Sequence, residues 1–123
     1  MSLTGINVLV VDDNKAMRRM VLEALLQTSL PGLRVDQAEN GSDALAKLAE
    51  AEPDLILSEW SMPEMNGVEL LRELRSRGSA VKFGFVTSEA PSGAMREKAL
   101  EAGAQFILER PFSVQDFRHL LSG

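Results

Sequence analysis

Five short apolar runs alternate with longer segments of helical periodicity, and this alternation restricts the fold of the chain more than any other feature. The runs cover residues 6–11, 33–38, 54–58, 81–87 and 105–108. The first run, INVLVV, is typical of a strand that is covered on both faces, whereas LRVDQA alternates like a strand at a sheet edge. Strands that alternate with helices predict an α/β fold with a parallel sheet, right-handed crossovers and helices on both faces.

Each apolar run is followed by a segment with the spacing of an amphipathic helix. The first predicted helix begins after Asp12-Asp13-Asn14, and the second begins at residues 40–42. The other three predicted helices cover residues 66–76, about 92–102 and 113–121. Gly103 is placed as a helix C-terminal glycine. The residues predicted to face the core from the first three helices are Met17, Met20, Val21, Ala24, Leu25, Ala44, Leu45, Leu48, Val68, Leu71 and Leu74.

Composition excludes several classes of protein. The 123 residues predict one domain over 1–123, and the absence of cysteine with a single histidine excludes thiolate and histidine metal sites. No run is long enough to span a membrane and no signal peptide is recognisable, so we expect a cytoplasmic protein without membrane contact. The net charge of −5 argues against a nucleic-acid partner and favours a cation or a basic patch on a protein.

Polar residues follow four of the five predicted strands, where ligands bind in open parallel sheets. They are Asp12, Asp13, Glu59, Thr87, Ser88 and Arg110. Singly, each has an ordinary explanation: Asp13 as a helix cap, Glu59 as a solvated loop residue, Arg110 as a surface charge. Jointly they predict an acid cluster, which requires relief by a divalent cation or by Arg110. No glycine-rich loop follows the first strand, which argues against a nucleotide phosphate site.

Four segments carry a resemblance to a known family. VLVVDDNKAMRR, DLILSEWSMPEMNGVELL, FVTSEA and GAQFILERPF together resemble the receiver domain of two-component response regulators, of the CheY-like kind. The resemblance extends over nearly the whole chain. It implies a flavodoxin-like (βα)5 fold with the strand order 2-1-3-4-5.

The resemblance also implies roles for particular residues. Asp12 and Asp13 match the acid pair that binds Mg²⁺ in this family, and Ser61 matches the residue whose main-chain carbonyl also binds the metal. Thr87 matches the hydroxyl that senses the phosphoryl group. Pro111 matches a proline whose preceding peptide bond is usually cis.

Three positions depart from the family pattern. Glu59 replaces the phospho-accepting aspartate, Arg110 replaces lysine, and Ile107 replaces the aromatic residue of the switch, although Ile107 is equally well explained as a core residue. The extra methylene of glutamate displaces the carboxylate by about 1.5 Å, and a misplacement of about 1 Å can slow a reaction about 100-fold. We therefore expect no phosphorylation of Glu59, weak or absent Mg²⁺ binding, and an ion pair between Glu59 and Arg110 that holds one conformation.

The sequence thus predicts an atypical receiver domain, not an enzyme, that acts by contact with a histidine kinase or a downstream signalling protein. The alternative is an ordinary phosphorylatable, Mg²⁺-dependent receiver. A phosphatase of the haloacid-dehalogenase type would need an Asp-x-Asp pair, which Asp12-Asp13-Asn14 does not supply. A flavin or nucleotide binder is disfavoured by acid where phosphate would lie. The partner, the output and the oligomeric state stay open.

Overall fold

The computed structural model describes residues 5–88 and 90–122. Five strands alternate with five helices, as the sequence predicts. The strands are β1 (Asn7–Val11), β2 (Arg34–Ala38), β3 (Leu55–Ser58), β4 (Lys82–Thr87) and β5 (Phe106–Glu109). The helices are α1 (Lys15–Gln27), α2 (Gly41–Glu50), α3 (Gly67–Ser76), α4 (Gly93–Ala102) and α5 (Val114–Ser122). Observed and predicted boundaries differ by one or two residues.

The strands form one parallel sheet in the order β2-β1-β3-β4-β5. This confirms the predicted order and places LRVDQA at an edge. Within the described residues, no helix is both long and apolar enough to cross a membrane.

The sheet separates two apolar layers because side chains alternate between its faces. One layer joins Leu9 and Val11 of β1 to α2, α3 and α4, and the other joins Val8 and Val10 to α1 and α5. The continuous apolar run of β1 is therefore buried on both faces, which is the physical reason for its composition.

Each of the five helices begins after a side chain that accepts a hydrogen bond from the first turn, and for α5 this is Ser113, whose Oγ accepts from Asp116 N at 3.2 Å. Asn14 accepts from Met17 N at 2.9 Å, Asn40 from Asp43 N at 2.7 Å, Asn66 from Glu69 N and Ser92 from Met95 N. The Glu69 side chain also accepts from Asn66 N, so that this pair forms a capping box. These local signals, together with Gly103 at the end of α4 with φ of 100°, set where the helices start and stop.

One predicted core residue is exposed, whereas Ala24, Leu45 and Leu48 are half-buried against the core. Met20 is 42% exposed, whereas Met17, Val21 and Leu25 of the same helix are buried. The buried stripe of α1 follows a spacing of four residues, so Met20 lies on its flank instead of facing the sheet. The predicted inward position of Met20 is therefore wrong.

Helix α5 is attached to the end of α1 by a charged hydrogen bond. Arg118 Nη2 donates to the carbonyl of Thr28 at 2.9 Å, and Thr28 is only 2% exposed. The last carbonyls of a helix lack partners within it, and this guanidinium supplies one.

Candidate functional site

Backbone hydrogen bonds just beyond the strands bring the predicted site residues to one edge of the sheet. Glu59 N donates to the Val11 carbonyl at 2.9 Å, which places Glu59 beside Asp12. Arg110 N donates to the Thr87 carbonyl at 3.1 Å. The site residues after β1, β3, β4 and β5 therefore share the edge at which ligands bind in this class of sheet.

A pocket of about 300 Å³ opens at this edge. Its α1 side is apolar, formed by Ala16, Met17 and Met20, and its other side carries charged and hydroxyl groups. The lining residues are Asn14, Ala16, Met17, Met20, Glu59, Ser88 and Arg110. The exposure of Met20 is explained by its place in this wall.

Asp12 is the most perturbed acid of the site. It is 3% exposed, and its Oδ1 accepts a hydrogen bond from Asn14 N at 2.8 Å. Burial raises the pKa of Asp12 from 3.8 to about 6; the Asn14 N–H opposes this, the charges of Glu59 and Asp13 add to it, and Arg18 lowers it. The predicted acid cluster is therefore present, and its members repel one another.

Glu59 is 8% exposed, and its carboxylate turns back on its own backbone. Oε2 accepts a hydrogen bond from Trp60 N at 2.6 Å, and the Trp60 carbonyl accepts one from Gly67 N at 2.9 Å. The Trp60 ring lies 4.8 Å from that of Phe85. A Cβ on Gly67 would come within 2.3 Å of the Glu59 carbonyl oxygen, so only glycine fits there. The loop between β3 and α3 is therefore held at both ends.

The predicted ion pair between Glu59 and Arg110 is not formed, and that prediction is wrong for this structure. The ion pairs found among the described residues join Arg19 to Glu23, Lys47 to Asp36, and Arg77 to Glu73. Arg110 is exposed, whereas the Glu59 carboxylate is turned to the Trp60 N–H. Arg110 lines the same pocket as Glu59, and its exposure matches the explanation as a surface charge.

The remaining predicted site residues differ in their exposure to solvent. Thr87 is 1% exposed, Asp13 and Ser61 are exposed, and Ile107 is half-buried against the α3 and α4 layer. The peptide bond before Pro111 is cis, as the resemblance implied. Ile107 thus contributes to core packing, as its alternative explanation has it.

The acidic side chains do not form a closed cation site as they stand. Among residues 5–88 and 90–122, no group of three acidic or histidine side chains is arranged to hold a metal ion. Asp12 is buried, Asp13 is exposed, and one oxygen of Glu59 is engaged by Trp60. The described acidic side chains alone therefore do not form a three-ligand metal cluster.

One residue of the site was missed by the sequence analysis. Arg18 Nη1 donates to the Asp12 carbonyl at 2.6 Å, and its Nε donates to Gln37 Oε1 at 3.1 Å. Its only sequence signal is its place one helical turn after the capping residue Asn14, which directs it toward the end of β1.

Comparisons with known proteins agree with this architecture. Residues 8–122 match the family described as "Response regulator receiver domain". The chain is 40% identical over 111 residues to a protein-glutamate methylesterase/protein-glutamine glutaminase of Treponema denticola, covering 89% of this chain and 29% of that protein. It is 33% identical to the response regulator MprA of Mycolicibacterium vanbaalenii, covering 90% of this chain and 46% of MprA.

Among solved structures, the chemotaxis protein CheY4 of Vibrio cholerae superimposes with a TM-score of 0.83 at 31% identity. That match covers 95% of this chain and 96% of CheY4. The chain spans less than half of the two sequence relatives but nearly all of CheY4. The family match, the strand order and the shared edge for the site residues lead to one conclusion: this chain belongs to the response regulator receiver domain family.

Proposed function

We propose that this receiver domain signals by protein contact without phosphorylation of Glu59. The observation that carries the proposal is the Glu59 carboxylate, which is buried at the acceptor position and bonded through Oε2 to Trp60 N at 2.6 Å. In-line attack on a phosphodonor needs a carboxylate oxygen at one position and orientation. The longer side chain and its backbone bond both remove Glu59 from that geometry.

Glu59 instead places a carboxyl group of the chain itself in the pocket. A ligand or modification changes a conformational equilibrium only by interacting differently with the two states. A carboxylate that is part of the chain favours one state, and that state is supported by the hydrogen bond from Gly67 N to the Trp60 carbonyl and by the contact of the Trp60 and Phe85 rings. We propose that Mg²⁺ binds weakly at most, because the acids do not form a closed site.

The partner that we propose is a histidine kinase or a downstream signalling protein, and the domain acts as a binding module instead of an enzyme. The similarity to the methylesterase does not support a catalytic role for this chain, since the chain spans only 29% of that protein. The exposed Arg110 and Met20, which line the same pocket, give a partner both a charged and an apolar group to contact.

The direct test is the mass of the protein after incubation with acetyl phosphate and Mg²⁺. We expect no phosphoryl adduct on the natural protein. The double variant Glu59→Asp with Arg110→Lys restores the family residues, and we expect it to gain one adduct. An adduct on the natural protein that disappears in Glu59→Gln would contradict the proposal.

The second candidate is an ordinary phosphorylatable, Mg²⁺-dependent receiver. It is favoured by the burial of Thr87 at the end of β4 and by the acid pair at the end of β1. Peptide mapping in the same experiment separates an adduct on Glu59 from one on Asp12 or Asp13. An adduct on Glu59 supports this second function.

A further inference from the structure

Strand β2 forms one edge of the sheet, and its outer side carries the backbone groups with which a further strand would pair. Arg34 N donates to the Ile6 carbonyl at 2.9 Å, so the backbone groups of Arg34 point toward β1. Backbone groups alternate in direction along a strand, and those of Val35 and Gln37 therefore point outward. These two residues decide whether the edge can accept another strand.

Both outward groups of Gln37 are already engaged by side chains. Its N–H donates to Asp36 Oδ1 at 2.8 Å, and its carbonyl accepts a hydrogen bond from Lys47 Nζ of α2. Lys47 Nζ also lies 3.3 Å from Asp36 Oδ1, so the two side chains are joined over the edge. We call this pair, Asp36 and Lys47, the edge clip.

Val35 is the other outward residue of β2, and the edge clip does not cover it. Its backbone N–H and carbonyl have no hydrogen-bond partner among residues 5–88 and 90–122. It lines an open groove of about 410 Å³ together with Arg34 and Lys47, so this part of the edge is accessible. One open residue offers too few hydrogen bonds to hold a further strand, whereas release of Gln37 would lengthen the open edge.

The sequence of β2 is complementary to itself in the antiparallel direction. When two copies of β2 are paired about Val35, Arg34 lies opposite Asp36 of the second copy, and the two-fold symmetry repeats this opposite-charge pair. Both side chains are exposed, and that of Asp36 is 71% exposed. In the closed edge, Lys47 competes with that arginine for Asp36. The partner that fits the edge is therefore the same strand of a second copy of this chain.

We infer that the β2 edge is a self-pairing surface that the edge clip keeps closed. Lys47 controls it in two ways, since its ammonium occupies the Gln37 carbonyl and holds the Asp36 carboxylate. Loss of Lys47 opens the carbonyl and releases Asp36 for Arg34 of the second copy. This inference goes beyond the proposed function and does not depend on it.

The test is self-association of the protein, measured by sedimentation equilibrium over a range of concentrations. We expect Lys47→Met to associate at least about tenfold more tightly than the natural protein, with a limiting mass of two chains. Lys98→Met is the matched control, because it makes the same substitution at an exposed residue of α4, and it should associate no more than the natural protein. Lys47→Ala opens the clip without a new large apolar side chain, so it should associate like Lys47→Met. It also serves if Lys47→Met fails to fold.

Adding Val35→Pro to Lys47→Met identifies the surface that associates. Proline removes the outward N–H of Val35, which takes no part in the pairing of β2 with β1, so the sheet is kept while the edge is blocked. We expect this double variant to associate no more than the natural protein, and far-UV circular dichroism checks that it is folded.

The inference is overturned if Lys47→Met and Lys47→Ala associate no more than Lys98→Met. It is also overturned if the association of Lys47→Met persists when Val35→Pro is added. Neither result bears on phosphorylation of Glu59, because neither β2 nor Lys47 lines the pocket that contains Glu59.

Discussion

Replacing Asp12 by asparagine should stabilise the domain, and the gain should depend on pH. Asp12 is 3% exposed and its pKa is raised from 3.8 to about 6, chiefly by burial. The amide of asparagine has nearly the same shape and can still accept the hydrogen bond from Asn14 N. The substitution therefore removes the buried charge while it keeps the local contact.

Proton linkage determines whether ionisation of Asp12 stabilises or destabilises the folded state. Because the carboxyl pKa is higher in the folded protein than in the unfolded chain, the folded state is penalised once the group ionises in both states. The penalty is absent below about pH 3.8, grows as pH rises, and is complete above about pH 6. Each pKa unit corresponds to about 1.36 kcal/mol, so the full penalty is about 3 kcal/mol at pH 8 and about 1 kcal/mol at pH 4.5.

Equilibrium unfolding in urea, followed by far-UV circular dichroism, measures this difference. We expect Asp12→Asn to exceed the natural protein in free energy of unfolding by up to about 3 kcal/mol at pH 8. Most of that gain should be lost by pH 4.5. Other carboxyl groups titrate in both proteins, so their effects largely cancel in the difference.

Asp13→Asn is the matched control, since it removes the same charge from an exposed neighbour. Its effect should be clearly smaller, because an exposed carboxylate loses little hydration on folding. An Asp12→Asn gain no larger than that of Asp13→Asn, or equal at both pH values, would refute the argument that burial of the charge is the cause.

Two further predictions concern the scaffold of the site. Gly67→Ala should destabilise the domain by about 1–3 kcal/mol, because the new Cβ would lie 2.3 Å from the Glu59 carbonyl oxygen. Gly93→Ala is its control, since a Cβ there meets no atom within 4 Å, and equal effects in urea unfolding would contradict the steric argument. Arg118→Met should cost about 1–3 kcal/mol in the same assay, because the buried Thr28 carbonyl loses a charged donor at 2.9 Å. An unchanged unfolding midpoint would show that another group satisfies that carbonyl.

Much of the fold could be predicted from sequence because its signals are local. Apolar runs such as INVLVV indicate strands, and capping residues such as Asn14 and Asn66 indicate where helices start. These signals depend on neighbours within about four residues, so they can be recognised in the sequence without knowledge of the tertiary structure. Met20 shows where such prediction fails. Its helical spacing is that of a core residue, but the packing of α1 on the sheet leaves it on the exposed flank of the helix.

The sequence by itself determined which residues reach the site edge, because parallel strands bring their carboxyl ends together. Each of the four residues at that edge, which are Asp12, Glu59, Thr87 and Arg110, lies at or just after the end of a predicted strand. The tertiary structure alone decided which of them interact. The backbone N–H of Trp60 holds the Glu59 carboxylate, while Arg110 is exposed at the rim of the same pocket. The approach of Arg18 to the Asp12 carbonyl likewise depends on the angle at which α1 lies against the sheet, which no local pattern encodes.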